Sequence, residues 1–184
     1  MKLLLGIMGE QFSGKDTAAE YLVAKHGAFH IRQSHILDEI LEVLGLPISR
    51  RNEIDLGMAL RQSFGTQTVG RAVEKRLRDS PQELKVAQGI RFREEFDIVR
   101  GLGGKMVYIT APAEIRYQRA MQRKEKSDDQ TQSFEQFLET EKIEPTEIGI
   151  PALGAQADFK IENKGTLEEL YQKIEAILTE LKTN

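Results

Sequence analysis

The residues with the most specific chemistry lie near the amino terminus, in the string Gly9-Glu10-Gln11-Phe12-Ser13-Gly14-Lys15-Asp16-Thr17. It fits the spacing G-x-x-x-x-G-K. Glycines at those positions let backbone N–H groups curl around phosphate oxygens without a Cβ in the way, and the lysine adds a mobile point charge for the terminal phosphates. An apolar run of strand length, Leu3-Leu4-Leu5-Gly6-Ile7-Met8, precedes the loop. A helical stretch, Thr17 to Ala24, follows it and packs through Ala18, Tyr21 and Leu22. Strand, glycine loop, lysine and helix in that order bring backbone amides and a helix amino terminus onto one anion. The chain therefore reads as a nucleotide binder whose cradle is Gly9, Gln11, Phe12, Ser13, Gly14, Lys15, Asp16 and Thr17.

One position departs from the usual loop. Ser or Thr normally follows the lysine and offers its hydroxyl to Mg²⁺, but here the residue is Asp16. A carboxylate beside a triphosphate is repelled unless a cation lies between them. Asp16 is thus either a Mg²⁺ ligand, direct or through water, or it points away to cap or pair elsewhere. In the second case Thr17 gives its N–H and hydroxyl to the α-phosphate. The first reading suits a hard ion that keeps several waters and takes few protein ligands.

Transfer of a phosphoryl group asks a protein mainly for positioning and positive charge, so arginines after strand ends matter next. Arg91 follows the third apolar segment. Arg119 and Arg123 are four apart, on one face of a helix, and can point into one cleft. Arg61 is a candidate to hold an acceptor phosphate, whereas Arg50 and Arg51 read as surface charges. His26, His30 and His35 have no metal-ligand spacing with one another, which argues against a zinc site.

The elements that must position these groups follow from periodicity. Residues 28–31, 83–87, 106–109 and 159–161 are strand-like. Helical patterns occupy 35–44, then 53–79 with a break near Gly65 or Gly70, then 92–101 and a helix from Pro112 through Arg123. Ser133-x-x-Gln136 and Thr166-x-x-Glu169 look like capping boxes that open two further helices. Leu167, Leu170, Tyr171, Ile174, Ile177, Leu178 and Leu181 form a core-facing stripe on the last one. Strands alternating with helices predict a three-layer α/β/α sandwich around a five-stranded parallel sheet, with ligands at the carboxyl ends of the strands.

At 184 residues the chain suits one domain, 1–184. Its 40% hydrophobic and 30% charged content is ordinary for a globular protein, and a net charge of −3 gives no general pull towards nucleic acid or acidic membranes. With no cysteine, a disulfide scaffold and a thiolate metal site are excluded, and a cytoplasmic home is expected. The apolar run at the start is too short to span a membrane.

The chain resembles the P-loop nucleoside and nucleotide kinases. Gly14-Lys15-Asp16-Thr17 is similar to the G-K-D-T and G-K-G-T of such enzymes. Leu60-Arg61-Gln62-Ser63-Phe64-Gly65-Thr66-Gln67 and Gly89-Ile90-Arg91-Phe92-Arg93-Glu94-Glu95-Phe96 look like segments of deoxynucleoside monophosphate kinases. Gln88-Gly89-Ile90-Arg91 matches the D-G-x-R string of adenylate-kinase-like archaeal ATPases, except that Gln88 replaces the acidic residue that orders Mg²⁺ through water. Asp158 to Thr166, with Asn163, is like the last strand and turn of dephospho-coenzyme A kinases. The resemblance implies ATP and Mg²⁺ as cofactors, and with Gln88 in the acidic position Asp16 is the expected metal contact. It implies Lys15, Arg91 and Arg123 around the transferred group, and Arg119 and Asn163 on the nucleotide. It also implies His35, Arg61 and Arg91 on the acceptor.

The expected function is transfer of the γ-phosphoryl of ATP to a nucleotide-like acceptor, foremost a (deoxy)nucleoside monophosphate, with dephospho-coenzyme A as the alternative. Gln88 keeps open a nucleotide-dependent switch with little turnover. An acceptor-binding helical region is expected near 36–80 and a lid near 122–150, around the very polar 124–132. Small-molecule nucleotides are the expected partners, without nucleic acid or membrane, and nothing fixes the oligomeric state.

Overall fold

A computed structural model describes residues 3–122, 133–144 and 147–183. Five parallel strands form one sheet in the order β2-β3-β1-β4-β5. They are β1 (Leu3–Met8), β2 (Phe29–Arg32), β3 (Leu84–Gln88), β4 (Lys105–Thr110) and β5 (Phe159–Glu162). Helices α1 (Lys15–His26), α2 (Gln33–Val43), α3 (Arg50–Phe64), α4 (Thr68–Asp79), α5 (Arg93–Gly101), α6 (Ala113–Gln122), α7 (Phe134–Ile143), α8 (Ile150–Gly154) and α9 (Leu167–Thr183) lie between and after them. This is the expected α/β/α sandwich.

The central strands are buried on both faces, which is why they read as unbroken apolar runs instead of alternating. One face packs Met8, Val69, Val73, Ala87, Phe96 and Met106 against α4 and α5. The other packs Leu5, Ile7, Val86, Val107 and Ile109 against Ala18 and Leu22 of α1 and Leu170, Ile174 and Leu178 of α9. Tyr21 adds to the α1–α9 seam by stacking on Tyr171, ring centroids 4.0 Å apart. Lys85 is buried inside β3, and its Nζ donates to the carbonyls of Leu77 and Ser80 at the end of α4. A cation there complements the negative end of the helix.

Both capping boxes form. Ser133 Oγ accepts from Gln136 N at 3.2 Å, and Gln136 Oε1 accepts from Ser133 N at 2.8 Å. Thr166 and Glu169 exchange the same pair of bonds at 3.2 Å each. The break between α3 and α4 falls at Gly65, and the helix runs straight through Gly70. Helix α2 starts at Gln33, directly after β2, two residues before the expected point. Helix α3 starts at Arg50, capped by Ser49, three residues earlier than its periodicity suggested. Helix α8 has no counterpart in the sequence reading. Its Pro at the start and its buried Ile150 and Leu153 seat it against the core. Arg123 and the polar stretch 124–132 lie outside the described residues, so of the region 122–150 expected as a lid only 122, 133–144 and 147–150 are described. No helix of the described residues is long and apolar enough to cross a membrane.

Register fixes what meets at the carboxyl edge. Arg32 of β2 stands opposite Gln88 of β3, and Gln88 stands opposite Ile7 of β1. Thr110 of β4 stands opposite Glu162 of β5. The loops after these five strand ends therefore share one rim.

Candidate active site

The loop from Gly9 to Gly14 turns β1 into α1. Gly9 (φ 156°) leaves no room for a Cβ, which would run into the Ile109 carbonyl, and Gly14 (φ 103°) is closed in the same way by the Asn163 amide. Glycine is thus required at both by backbone conformation and by close approach. Gly14 is the N-cap of α1, and among the described residues no side chain caps that helix start. Lys15 is 6% exposed, with Nζ 3.3 Å from the Glu10 carbonyl. Burial, before any other influence, pulls its pKa below the ordinary lysine value, and Asp16 opposes this. An ammonium held this way gains strongly from an anionic ligand. Glu10 turns inward, where Tyr108 Oη and Thr110 Oγ1 donate to its Oε1. Burial and this carboxylate push Tyr108 up to about 12.

Behind the loop, Arg119 of α6 donates to the carbonyls of Phe12 (3.2 Å), Ser13 (3.3 Å) and Asn163 (3.1 Å). Asn163 Nδ2, buried at the end of β5, donates to the Ser13 carbonyl at 2.8 Å. The two residues tie the phosphate loop to the end of β5. Phe12 has φ 59° and packs near Phe137 of α7, centroids 6.3 Å apart.

At the other side of Lys15, Asp16 and Gln88 meet. Gln88 Nε2 donates to Asp16 Oδ1, and Gln88 Oε1 lies 2.6 Å from His30 Nε2. Arg32 Nη1 is 3.9 Å from the same Asp16 oxygen. Burial holds the His30 imidazole below its usual pKa. With Gln88 Nε2 donating to Asp16, Gln88 Oε1 is the atom left to accept from His30 Nε2–H. His35 is also held low by burial and then by Arg32, whose Nε is 2.9 Å from His35 Nε2. It contacts Arg32 and meets the His30 ring edge-on, centroids 5.7 Å apart, beside the cleft and not in its lining. Among the described residues no cluster of three or more His, Cys, Asp or Glu side chains could hold a metal alone. A divalent ion here would be shared among Asp16, phosphate oxygens and water. The hard oxygen of a partly exposed carboxylate suits Mg²⁺ in that role.

The cleft in front of Lys15 is walled by Gln11, Asp16, Arg32, Arg91 and Glu147 on the rim and by Leu37, Ile54, Met58 and Phe92 further out. Arg61 of α3 places its Cζ over the Phe92 ring, 3.7 Å from the centroid, and pairs with Glu94 (3.3 Å) and Glu95 (3.6 Å). Glu95 accepts from the backbone N–H groups of Arg91 (2.9 Å) and Phe92 (3.2 Å) and thereby shapes the turn after β3. Burial raises its pKa. Arg91 donates to Glu147, which also accepts from Gln11 Nε2 at 3.1 Å.

Lys15, Asp16, Arg61, Arg91, Gln11 and Phe12 thus come to one cleft, with Gly9, Ser13, Gly14 and Thr17 in the loop and helix that form its wall. Arg123 falls outside the described residues. Arg50, read from sequence as a surface charge, lines the cleft instead, because α3 begins at that residue and aims its first turn at the rim. Arg51 is exposed and paired with Asp55 at 2.7 Å, as a surface charge should be. Glu147 escaped the sequence reading. Its only signal was position, just before the Ile150-Pro151 helix start.

A parallel sheet in the order 2-3-1-4-5, with a phosphate loop after its first strand and a cleft across its carboxyl edge, is the fold of the small P-loop kinases. Similar solved structures include a shikimate kinase from Bacteroides thetaiotaomicron (TM-score 0.67, 13% identity, 98% of both chains). A gluconokinase from Sinorhizobium meliloti is another (TM-score 0.60, 18% identity, 97% of this chain and 93% of that one). By sequence the chain belongs to the UPF0200 family. A UPF0200 protein of Saccharolobus islandicus is 30% identical over 180 residues, covering 96% of this chain and 92% of the relative. A UPF0200/UPF0201 protein of Archaeoglobus fulgidus is 28% identical over 186 residues, and this chain spans 56% of its length. No protein-family model matches the chain.

Proposed function

We propose that this protein is an ATP-dependent phosphotransferase that moves the γ-phosphoryl group to a small acceptor held between the phosphate loop and α2–α4. The observation that carries this reading is the cleft itself. It brings Lys15 and the start of α1 together with Arg32, Arg50, Arg61 and Arg91. Asp16, Glu53, Glu95 and Glu147 share the lining, so the arginines are held in ion pairs that phosphate oxygens of two ligands could replace.

In this reading the α1 amides and Lys15 hold the β- and γ-phosphates. Arg91, at the end of β3, faces the charge that develops on the transferred group, where a planar fork is well suited. Arg119 and Asn163 keep the loop in its anion-binding shape. Asp16, supported by Gln88, is the residue that would hold Mg²⁺, which when bound supplies neutralising charge between the phosphates. A (deoxy)nucleoside monophosphate is the acceptor that the sequence resemblance favours. Arg61 over Phe92 supports an aromatic or anionic group at the outer end of the cleft.

A coupled ADP-release assay with ATP and Mg²⁺ tests the reading. The panel contains (deoxy)nucleoside monophosphates, dephospho-coenzyme A, shikimate and gluconate. Acceptor-dependent turnover with any of them supports it. Tight nucleotide binding with no such turnover favours instead a nucleotide-dependent switch, the reading that Gln88 kept open.

A further inference from the structure

Gly57 sits in the middle of α3, where glycine is less favourable than any residue but proline. Backbone conformation does not call for it, since Gly57 is helical and lies outside the glycines of positive φ. Packing does not call for it either. At Gly70 of α4 a Cβ would run into Ile98 at 2.7 Å. At Gly57 a Cβ would meet, beyond its own helix, only Leu37, at 3.4 Å from Cδ1 and 3.9 Å from Cδ2. Those are contact distances at the tip of a flexible side chain. What Gly57 does share is the cleft. Arg50, Glu53, Ile54, Gly57, Met58 and Arg61 recur at helical spacing and all line it. No residue of α3 is buried, so this face is left part-open. It is charged at both ends and apolar in the middle, where Leu37 and Phe92 also line the cleft.

Resting on the phosphotransferase reading, we infer that Gly57 is a specificity residue, whose missing side chain keeps room on the middle of the α3 face for a flat heteroaromatic ring of the acceptor. Without a Cβ the helix backbone is open to close approach, and a flat ring uses that strip better than a puckered or branched body does. Ile54, Met58, Leu37 and Phe92 offer the ring apolar contact, and their side chains carry no strong hydrogen-bonding group. An acceptor bearing a hydroxyl on every carbon would leave those hydroxyls unpaired against them, which costs binding. The acceptor is therefore a ring compound that carries an anionic group, with the ring at Gly57 and the anion towards Lys15. A nucleotide has that form and a sugar acid does not.

The test compares wild type with Gly57→Ala by thermal melting, by affinity for a fluorescent ATP analogue and by transfer from radiolabelled ATP. The acceptors are (deoxy)nucleoside monophosphates and dephospho-coenzyme A, which carry such a ring, and gluconate and shikimate, which do not. The inference expects the variant to melt no lower than wild type and up to about 4 °C higher, as alanine in a helix interior should. Affinity for the ATP analogue should be unchanged. KM for the ring-bearing acceptor should rise by about 10–200-fold, the range for one methyl-sized change in a fitted pocket. A variant that melts lower or fails to fold shows that the glycine serves packing, and overturns the inference. An unchanged KM, or a wild type that transfers only to gluconate or shikimate, also overturns it and leaves the phosphotransferase reading standing. No transfer to any acceptor by the wild type overturns both.

Discussion

Gln88 Nε2 donates a hydrogen bond to Asp16 Oδ1, joining the end of β3 to the first turn of α1. Each residue is unusual for its place alone, and the pair explains both. A carboxylate at 88 would face the carboxylate at 16, whereas the amide turns that contact into a charge-assisted bond. Asp16 can only accept, so it fixes which end of the amide faces it, and the amide oxygen is left for His30 Nε2.

This relationship predicts that Gln88→Asp does not improve the site. It replaces a hydrogen bond to a charged group, worth about 1.5–3 kcal/mol, by repulsion between like charges. The variant should melt lower and need more Mg²⁺ to bind ATP tightly. Adding Asp16→Thr to it should recover both. Thermal melts and Mg²⁺ titrations of nucleotide binding check this, and a Gln88→Asp single variant that outperforms the double one contradicts it.

Lys15→Ala should lower turnover by about 10²–10³, as loss of a fixed positive group beside a transferring anion does. The fold should stay intact, because Lys15 Nζ bonds only a loop carbonyl among the contacts described. Loss of the α/β circular-dichroism signal would mean that this buried lysine is structural.

Arg119→Ala and Asn163→Ala both untie the phosphate loop from β5. Each should weaken ATP binding and cost roughly 1–3 kcal/mol of stability. Since both act on the Ser13 carbonyl, the double variant should lose less than the sum of the two. Additive losses in urea unfolding would show that they act separately.

His30 and His35 are both held below the usual imidazole pKa, burial being the first cause. A folded pKa below the unfolded one means that the unfolded chain binds protons more readily. Their contribution is therefore complete above about pH 6.5, the unfolded value, and is lost as pH falls below it. Buried Glu95, held high by burial, works in the opposite sense: its share is lost as pH rises above the ordinary carboxylate range. Unfolding free energy should thus drop between about pH 7 and 5, and His30→Gln with His35→Gln should flatten that slope. An unchanged slope in the double variant would assign it to other groups.

The fold was legible because its signals are local. The phosphate loop, the apolar runs of β1 and β4 and the two capping boxes each lie within a few consecutive residues, and all form as read. The first turns of α2 and α3 were missed because Gln33, Ser34 and Arg50 to Asn52 are polar and break the apolar period that marks a helix. Their helicity comes from the β2 exit and from the Ser49 cap. Site residues carried by the loop or by a strand end, such as Lys15, Asp16 and Arg91, could be found from sequence. Glu147 could not. Its burial comes from α8 closing on the core and from partners 56 and 136 residues away in the chain. Arg50 was misjudged for the same kind of reason, since its neighbours in sequence are charged and exposed while its neighbours in space line the cleft.

The central claim is that nucleotide bound at Lys15 gives up its γ-phosphoryl to a small molecule in the adjoining cleft. The most direct measurement is the rate of ADP release from the ATP- and Mg²⁺-loaded protein with and without each acceptor, paired with detection of the phosphorylated acceptor by mass. The account predicts that one acceptor class raises ADP release to about 1 s⁻¹ or faster, with product formed in equal amount. Saturating ATP binding with the same slow ADP release whatever is added, and no phosphorylated product, would contradict it.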